Sequence, residues 1–77
     1  MKYKNGPLKA NIAVEIKDPR GDIIVESVGE KFVIWFEMPD FHGTCWEKSK
    51  EFETLSEAMA QVAWTISDNV KTDFYKD

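Results

Sequence analysis

Two short turns divide the first half of the chain into three apolar segments and constrain how those segments pair. The turn DPRG at residues 18–21 has an acceptor side chain first, proline second and glycine fourth, which is typical of a β-turn. The dipeptide GE at residues 29–30 fits a two-residue type II′ hairpin loop, which prefers glycine first. Because apolar and polar residues alternate around these turns, the sequence predicts a three-stranded antiparallel meander.

The two turns set the pairing register independently, and the two registers agree. The loop at 29–30 places Ile34 opposite Val25, and the turn at 18–21 places Val14 opposite the same residue. A slip of one residue in either hairpin would move a whole set of side chains to the other face. The core face predicted in this way consists of Ile12, Val14, Ile16, Ile23, Val25, Phe32, Ile34 and Phe36.

The second half of the chain predicts one further strand and one helix. Residues 44–53 have a weak strand pattern, in which Trp46 and Phe52 have the same parity and are separated by lysines, as on a protected sheet edge. The segment TLSE at residues 54–57 is a capping box. Beyond it the helix is expected to continue to about Thr72, with Ala58 and Ala63 beside a core stripe of Leu55, Met59, Val62, Ile66 and Val70.

These elements predict an α+β fold, namely an antiparallel β-meander of three to four strands with one C-terminal α-helix packed on one face. The passage from strand to capped helix, FETLSEA at residues 52–58, resembles the corresponding passage in a small bacteriophage inhibitor of bacterial RNA polymerase. It equally resembles short antitoxin-type domains. The resemblance assigns no functional residue. Small size, acidity and a lone cysteine also suit a protein encoded by a phage or a mobile element.

The chain length allows a single domain. With 77 residues, of which 43% are hydrophobic and 13% aromatic, the chain can form one small core and is too apolar to be disordered. We expect residues 10–77 to form this domain. Residues 1–9 carry three lysines and an Asn-Gly-Pro break, so they are predicted to be a flexible basic arm.

Charge is distributed unevenly along the chain. The net charge is −4, but residues 1–20 have five basic and two acidic side chains, whereas residues 21–77 have five basic and twelve acidic ones. An acidic body disfavours direct nucleic-acid binding, which depends on neutralising phosphates. We therefore expect another protein as the partner. One alternative is a mimic of nucleic acid that binds a basic groove, with phosphates imitated by Glu47, Glu51, Glu53 and Glu57.

The sequence lacks the motifs that would indicate a membrane protein or an enzyme. No apolar run approaches the ~20 residues of a membrane span, and the N-terminus does not resemble a signal peptide, so a cytoplasmic location is expected. His42 and Cys45 are two ligands short of a closed zinc site. No second base and no glycine-rich phosphate loop accompany them. We expect no catalytic residue, metal or cofactor.

Two apolar features are not explained by the core face. On the opposite face of the sheet, Trp35 lies across from Ile24. One helix cannot cover both faces, so either the arm covers this one with Tyr3 and Leu8, or the face is an exposed contact surface. The contact residues predicted there are Trp35, Ile24, Val33 and Val28, with Glu26 and Glu37 at the rim.

The second feature is Trp64, which lies about 180° from Leu55 on a helical wheel and therefore away from the core stripe. An exposed tryptophan is typical of interface hot spots, unless Phe74 and Tyr75 or a lysine stem shield it. The sequence thus predicts a small, acidic, non-enzymatic module that docks on a larger protein and modulates it by inhibition. A homodimer sealed across the second sheet face, with no ligand of its own, is a further alternative.

Overall fold

The computed structural model describes residues 2–41 and 43–67, which form one antiparallel sheet with one helix packed on it. The elements are β1 (Lys2–Tyr3), β2 (Ile12–Ile16), β3 (Ile23–Val28), β4 (Lys31–Asp40), β5 (Gly43–Lys48) and α1 (Leu55–Ile66), with a 3-10 turn at Lys9–Asn11. The order across the sheet is β1-β5-β4-β3-β2, so β2 to β5 are a four-stranded meander followed by the helix, and the predicted fold class is confirmed. The short strand β1, at the far side of β5, was not predicted.

The pairing of the first three meander strands has the register that the turns predict. Val14 and Ile34 both lie opposite Val25. The amide of Gly21 donates to the Asp18 carbonyl at 2.9 Å, which closes the first turn. Gly29 has a φ of +63°, and no described non-glycine residue has a positive φ, as a type II′ loop requires. Local turn chemistry therefore determines the register of the sheet.

The face beneath α1 holds the larger of two apolar clusters. Its buried residues are Ile23, Val25, Ile34 and Phe36 from the sheet with Ala58 and Val62 from the helix. Burying a large aliphatic side chain contributes about 1.5–3 kcal/mol, so this cluster is the main source of stability. Partly buried side chains surround it, namely Val14, Ile16, Phe32, Phe52, Met59 and Ile66.

Helix α1 begins with the predicted capping box. The hydroxyl oxygen of Thr54 accepts from the Glu57 amide at 3.1 Å, and the Glu57 carboxylate accepts from the Thr54 amide at 3.2 Å. The buried face is centred on Ala58, Val62 and Thr65. Leu55, the first residue of α1, lies at the exposed margin of this face.

The predicted helix stripe is therefore confirmed only in part. Met59, Val62 and Ile66 pack against the core, as expected, whereas Leu55 and Ala63 are exposed. The structure ends α1 at Ile66. The predicted stripe residue Val70, the expected end near Thr72, and Phe74 and Tyr75 lie outside the described residues.

One core-face prediction is wrong, because β2 contains one residue more than the segment of β3 that it pairs with. Ile12 lies opposite Glu26, whereas Val14 lies opposite the neighbouring residue Val25. This extra residue is a β-bulge, and it reverses which face the preceding side chain occupies. Ile12 consequently packs on the face away from α1.

A second extra residue follows β5, and because of it the predicted edge pattern, with Trp46 and Phe52 on one face, is wrong. Trp35 lies opposite Lys48 and Phe32 lies opposite Phe52, so three steps along β4 correspond to four along the other segment. Phe52 therefore packs under α1, whereas Trp46 packs on the other face. The two aromatic side chains do not share a face, because the extra residue changes the parity between them.

Ser49 makes this irregularity possible by bonding both backbone groups of Ile34. The Ser49 amide donates to the Ile34 carbonyl at 2.8 Å, and the Ser49 hydroxyl oxygen accepts from the Ile34 amide at 2.8 Å. The hydroxyl also donates to the Lys50 carbonyl at 2.8 Å. The Ser49 hydroxyl thus takes the place of a backbone carbonyl as the hydrogen-bond acceptor for Ile34, in the central strand of the sheet.

Ser49→Ala is expected to lower the free energy of unfolding by about 1–3 kcal/mol, because the Ile34 amide loses its acceptor within a buried strand. Urea unfolding followed by circular dichroism measures the change. Ser56→Ala is the matched control, because Ser56 is exposed on α1, where alanine is neutral or slightly stabilising. Equal stability of the two variants would contradict this role of Ser49.

Candidate functional site

The second face of the sheet, predicted as a contact surface, is covered by the N-terminal arm. Tyr3 lies opposite Trp46, and its ring meets that of Trp35 edge-on at a centroid distance of 5.2 Å. Ile24, Val33 and Trp35 are consequently buried, and Trp35 is only 7% exposed. Of the two alternatives for this face, the structure shows coverage by the arm, through Tyr3 but not through Leu8, which is 75% exposed. Partly buried Tyr3, Ile12 and Trp46 pack against the cluster.

Polar and cationic groups fix the arrangement of this covered face. The Trp35 indole nitrogen donates to a Glu26 carboxylate oxygen at 2.9 Å. The Lys48 ammonium lies over the Trp35 ring, 5.3 Å from its centroid, and 6.0 Å from that of Tyr3. A β-carbon on Gly6 would come within 2.7 Å of the Trp46 indole, so only glycine lets the arm lie flat there.

These contacts decide which of the predicted interface residues a partner can reach. Ile24, Val33 and Trp35 are reachable only if the arm is displaced, and the proposed homodimer across this face has the same requirement. The β1 strand pairs with β5 through two residues. The flexibility of the arm stays a prediction.

The remaining predicted residues of this face do not join into one surface. Val28 is exposed beside the loop at 29–30, and it lies opposite Lys31. Glu37 lies toward the other end of β4, where its carboxylate accepts from the Asp22 amide at 3.2 Å. Val28 and Glu37 therefore lie toward opposite ends of β4 and do not form one surface.

Trp64 is exposed, as the helical wheel predicted. The side chain is 62% exposed on the outer side of α1. The Ser67 hydroxyl donates to the Trp64 carbonyl at 2.9 Å at the end of the helix. The Arg20 guanidinium reaches the Ile66 carbonyl at 3.5 Å. Trp64 is therefore at the same end of the molecule as the turn at 18–21.

Phe41 is a second exposed aromatic residue, and the sequence analysis missed it. It occupies the loop between β4 and β5, where Asp40 pairs with Gly43, and its side chain is 93% exposed. Gly43 has a φ of +131°, which favours glycine at the loop exit. The sequence signal for its exposure was an aromatic residue within a turn. Hydrophobic periodicity does not reveal such a residue, because a loop has no repeating pattern of faces.

A cleft of about 870 Å³ lies at this same end, between the turn at 18–21 and the β4–β5 hairpin. Its volume is in the range of small-ligand sites. We call Phe41, Trp64 and this cleft the aromatic end. The cleft is lined by Asp18, Pro19, Arg20, Gly21, Asp22, Glu37, Met38, Pro39, Gly43 and Thr44.

Hydrogen bonds join the two walls of the cleft. The Glu37 amide donates to the Asp22 carbonyl at 2.9 Å, and the Asp22 amide donates back to the Glu37 carboxylate. The Asp18 carboxylate accepts from the Arg20 amide at 2.9 Å and lies 3.6 Å from the guanidinium. These bonds connect the turn at 18–21 and β3 to β4 at the cleft.

Ion pairs within the chain hold charged residues of the cleft. Asp18, Asp22 and Glu37 line it together with Arg20, whose guanidinium lies 3.6 Å from Asp18. Lys17 pairs with Asp22 at 2.9 Å and with Glu15 at 3.2 Å, and these hydrogen bonds, Asp22 first, raise the pKa of the Lys17 ammonium. The last turn of α1 contains no basic residue of its own, but the Arg20 guanidinium reaches the Ile66 carbonyl there.

The carboxylates predicted to imitate phosphates are mostly bound to groups of the chain itself. The Lys31 ammonium lies 3.1 Å from Glu53 and 4.0 Å from Glu51, and the hydrogen bond to Glu53 is the main cause of the raised Lys31 pKa. Glu57 belongs to the helix cap. Glu47 is half-buried within β5. If the chain imitates nucleic acid, these carboxylates would have to bind the basic partner in addition to the groups of the chain that already bind them.

Comparison with known proteins gives no relative. The chain matches no family model, and neither a curated protein nor a solved structure matches it significantly. No helix within residues 2–41 and 43–67 is long and apolar enough to cross a membrane. In that same part of the chain, no three His, Cys, Asp or Glu side chains are grouped to hold a metal ion. Cys45 is buried, and His42 lies outside the described residues.

Proposed function

We propose that this chain is a protein-binding module that docks on a larger protein through its aromatic end. The observation that carries the proposal is the exposure of Phe41 and Trp64, at 93% and 62%, at the same end of the molecule. Aromatic side chains dominate interface energetics when a partner buries them. Both residues leave large apolar area in water, although the sheet buries aromatic and aliphatic side chains on both of its faces.

The charge of the protein indicates which charge the partner carries around the surface that buries Phe41 and Trp64. The net charge of −4 favours a basic rim on the partner. Complementary charge of this kind mainly accelerates association and excludes wrong partners. We propose that docking covers a functional surface of the partner and so inhibits it. We propose the cytoplasm as the location. Inhibition and an origin in a phage or mobile element are expectations from the sequence alone, namely from small size, acidity and the resemblance of residues 52–58 to a phage inhibitor or, equally, to an antitoxin-type domain.

Affinity capture with matched variants tests the proposal. We expect a protein captured from bacterial lysate by the immobilised wild type to fall at least about tenfold with the double variant Phe41→Ala/Trp64→Ala, because tenfold corresponds to about 1.4 kcal/mol of lost contact. Leu8→Ala is the control. Leu8 is 75% exposed and precedes the start of β2, far from the aromatic end.

Two further measurements keep the capture result interpretable. Thermal unfolding by circular dichroism establishes that the double variant is folded. Light scattering tests self-association, and a dimer that dissociates in the double variant would assign the aromatic end to a second copy of this chain. Undiminished capture by the folded double variant would contradict the proposal.

A further inference from the structure

We propose that the N-terminal arm exchanges between two copies of this chain, so that the arm of each copy covers the second sheet face of the other. The occupant of that face is shown by the arm itself, which places Tyr3 against Trp35 and Gly6 against Trp46. Exchange keeps these contacts and changes only the copy that supplies them, which makes it a low-cost route to a dimer. The inference is independent of the proposed function, since the exchange does not involve the aromatic end.

The arm is held by a few separate contacts rather than by continuous packing. Strand β1 pairs with β5 through two residues, and Tyr3 is only partly buried. Lys4 and Asn5 are exposed, and Leu8 is 75% exposed. An attachment of this kind opens at a smaller free-energy cost than the sheet as a whole, because few buried apolar contacts are lost. The arm can therefore leave the face while the meander and α1 stay folded.

The connection from the arm to β2 is short for the distance that it crosses. Gly6 lies against Trp46 of β5, and β2 begins at Ile12, so the chain between them passes β4 and β3. Three strand spacings amount to about 14 Å, and the six residue steps from Gly6 to Ile12 reach at most about 20–22 Å when fully extended. The 3-10 turn at residues 9–11 reduces that reach, because it rises only about 2 Å per residue. A connection with so little slack favours exchange, in which it can straighten.

Leu8 provides a contact that only the exchanged pair makes. It is a large apolar side chain that the connection leaves 75% exposed. In a symmetric exchange the two connections pass each other near the symmetry axis, so each Leu8 meets its counterpart. Burial of these two side chains favours the exchanged pair over two closed single chains.

A disulfide between two full-length variants tests the exchange. Lys2 pairs with Glu47 across β1 and β5, and the Cα atoms of such a pair lie about 4.5–5.5 Å apart, as a disulfide requires. Lys2→Cys on one copy and Glu47→Cys on a second, differently tagged copy are therefore held together only where an arm has changed copies. Glu53→Cys is the matched control for chance contact, since Glu53 is more exposed than Glu47 and lies outside the strand that pairs with the arm.

We expect the chains with Lys2→Cys and Glu47→Cys to form at least about fivefold more covalent heterodimer than those with Lys2→Cys and Glu53→Cys, because the exchanged arm holds the two thiols at a high effective concentration. The chains are mixed at high concentration, equilibrated in a glutathione redox buffer and measured by mass spectrometry without reduction. Adding Leu8→Asp to both chains should lower the yield at least about twofold, because two carboxylates then face each other.

A second pair of variants changes only the length of the connection. Deletion of residues 9–11 leaves three residue steps, about 10 Å, which cannot span the three strand spacings. This chain can cover its second face only by exchange, and we expect light scattering to show a dimer. Insertion of Gly-Ser-Gly after residue 11 adds slack to the connection and should give a monomer.

Two results would overturn the inference: a heterodimer yield with Glu47→Cys no higher than that with Glu53→Cys, or a folded monomer after the deletion. Where the shortened chain does not fold, the disulfide yield alone decides. Failure of the exchange leaves the proposed function standing, since a single chain presents the same aromatic end. Conversely, the double variant Phe41→Ala/Trp64→Ala should exchange its arm as the wild type does.

Discussion

Trp35→Ala is expected to lower the free energy of unfolding by about 3–5 kcal/mol. Its side chain is 7% exposed, meets the Tyr3 ring, lies under the Lys48 ammonium and donates to Glu26. Truncation removes these contacts and leaves a cavity beneath the arm. A small domain has only about 5–15 kcal/mol of total stability, so this loss is a large part of it and should lower the unfolding midpoint markedly.

Trp64→Ala is the matched control for this experiment. The same residue type is truncated, but Trp64 is exposed, so we expect a loss below about 1 kcal/mol. Chemical unfolding of both variants, followed by far-ultraviolet circular dichroism, gives the comparison. Where Trp35→Ala does not fold, Trp35→Phe gives a smaller loss that is still measurable. Similar small losses at both positions would show that the second face is open rather than covered by the arm.

Ile34→Ala should also cost about 2–5 kcal/mol, although its side chain points to the opposite face from that of Trp35. Ile34 has no exposed surface and packs against Ala58 and Val62 beneath α1. A strand whose neighbouring side chains are both essential must be buried on both faces. This pattern distinguishes β4 from an ordinary strand that faces water on one side.

Urea unfolding measures this loss, with Ile16→Ala as the control. Ile16 lies on the outer strand β2 and is only partly buried, so its truncation should cost less than that of Ile34. A loss at Ile34 no greater than that at Ile16 would contradict the position of α1 on the sheet.

The meander was predictable because its determinants are local. Turn residues at 18–21 and 29–30 fix the register, and alternation then assigns the faces. The two bulges were not predictable in the same way, since each adds one residue without changing the local pattern. The bulge after β5 depends on Ser49 bonding Ile34, a residue 15 positions away. The bulge in β2 placed Ile12, and the bulge after β5 placed Phe52, on faces that simple alternation did not predict.

The candidate site was predictable to a different degree at each residue. Trp64 followed from helical spacing, because the core stripe defines the outer side of α1. The coverage of Trp35 depended on Tyr3, whose two-residue strand is too short to show a period. Phe41 lies in a loop, where periodicity carries no information. The cleft forms from two segments that are distant in sequence, so only the fold brings them together.

The most direct test of the account is the hydrogen-exchange footprint of the complex between this chain and the protein that it captures. We predict slower amide exchange at residues 38–44 and at the end of α1 around Trp64, with unchanged exchange in the loop at 29–30. Protection confined to that loop, or to the outer edge of β2, would place the interface elsewhere and contradict the assignment of the aromatic end as the binding surface.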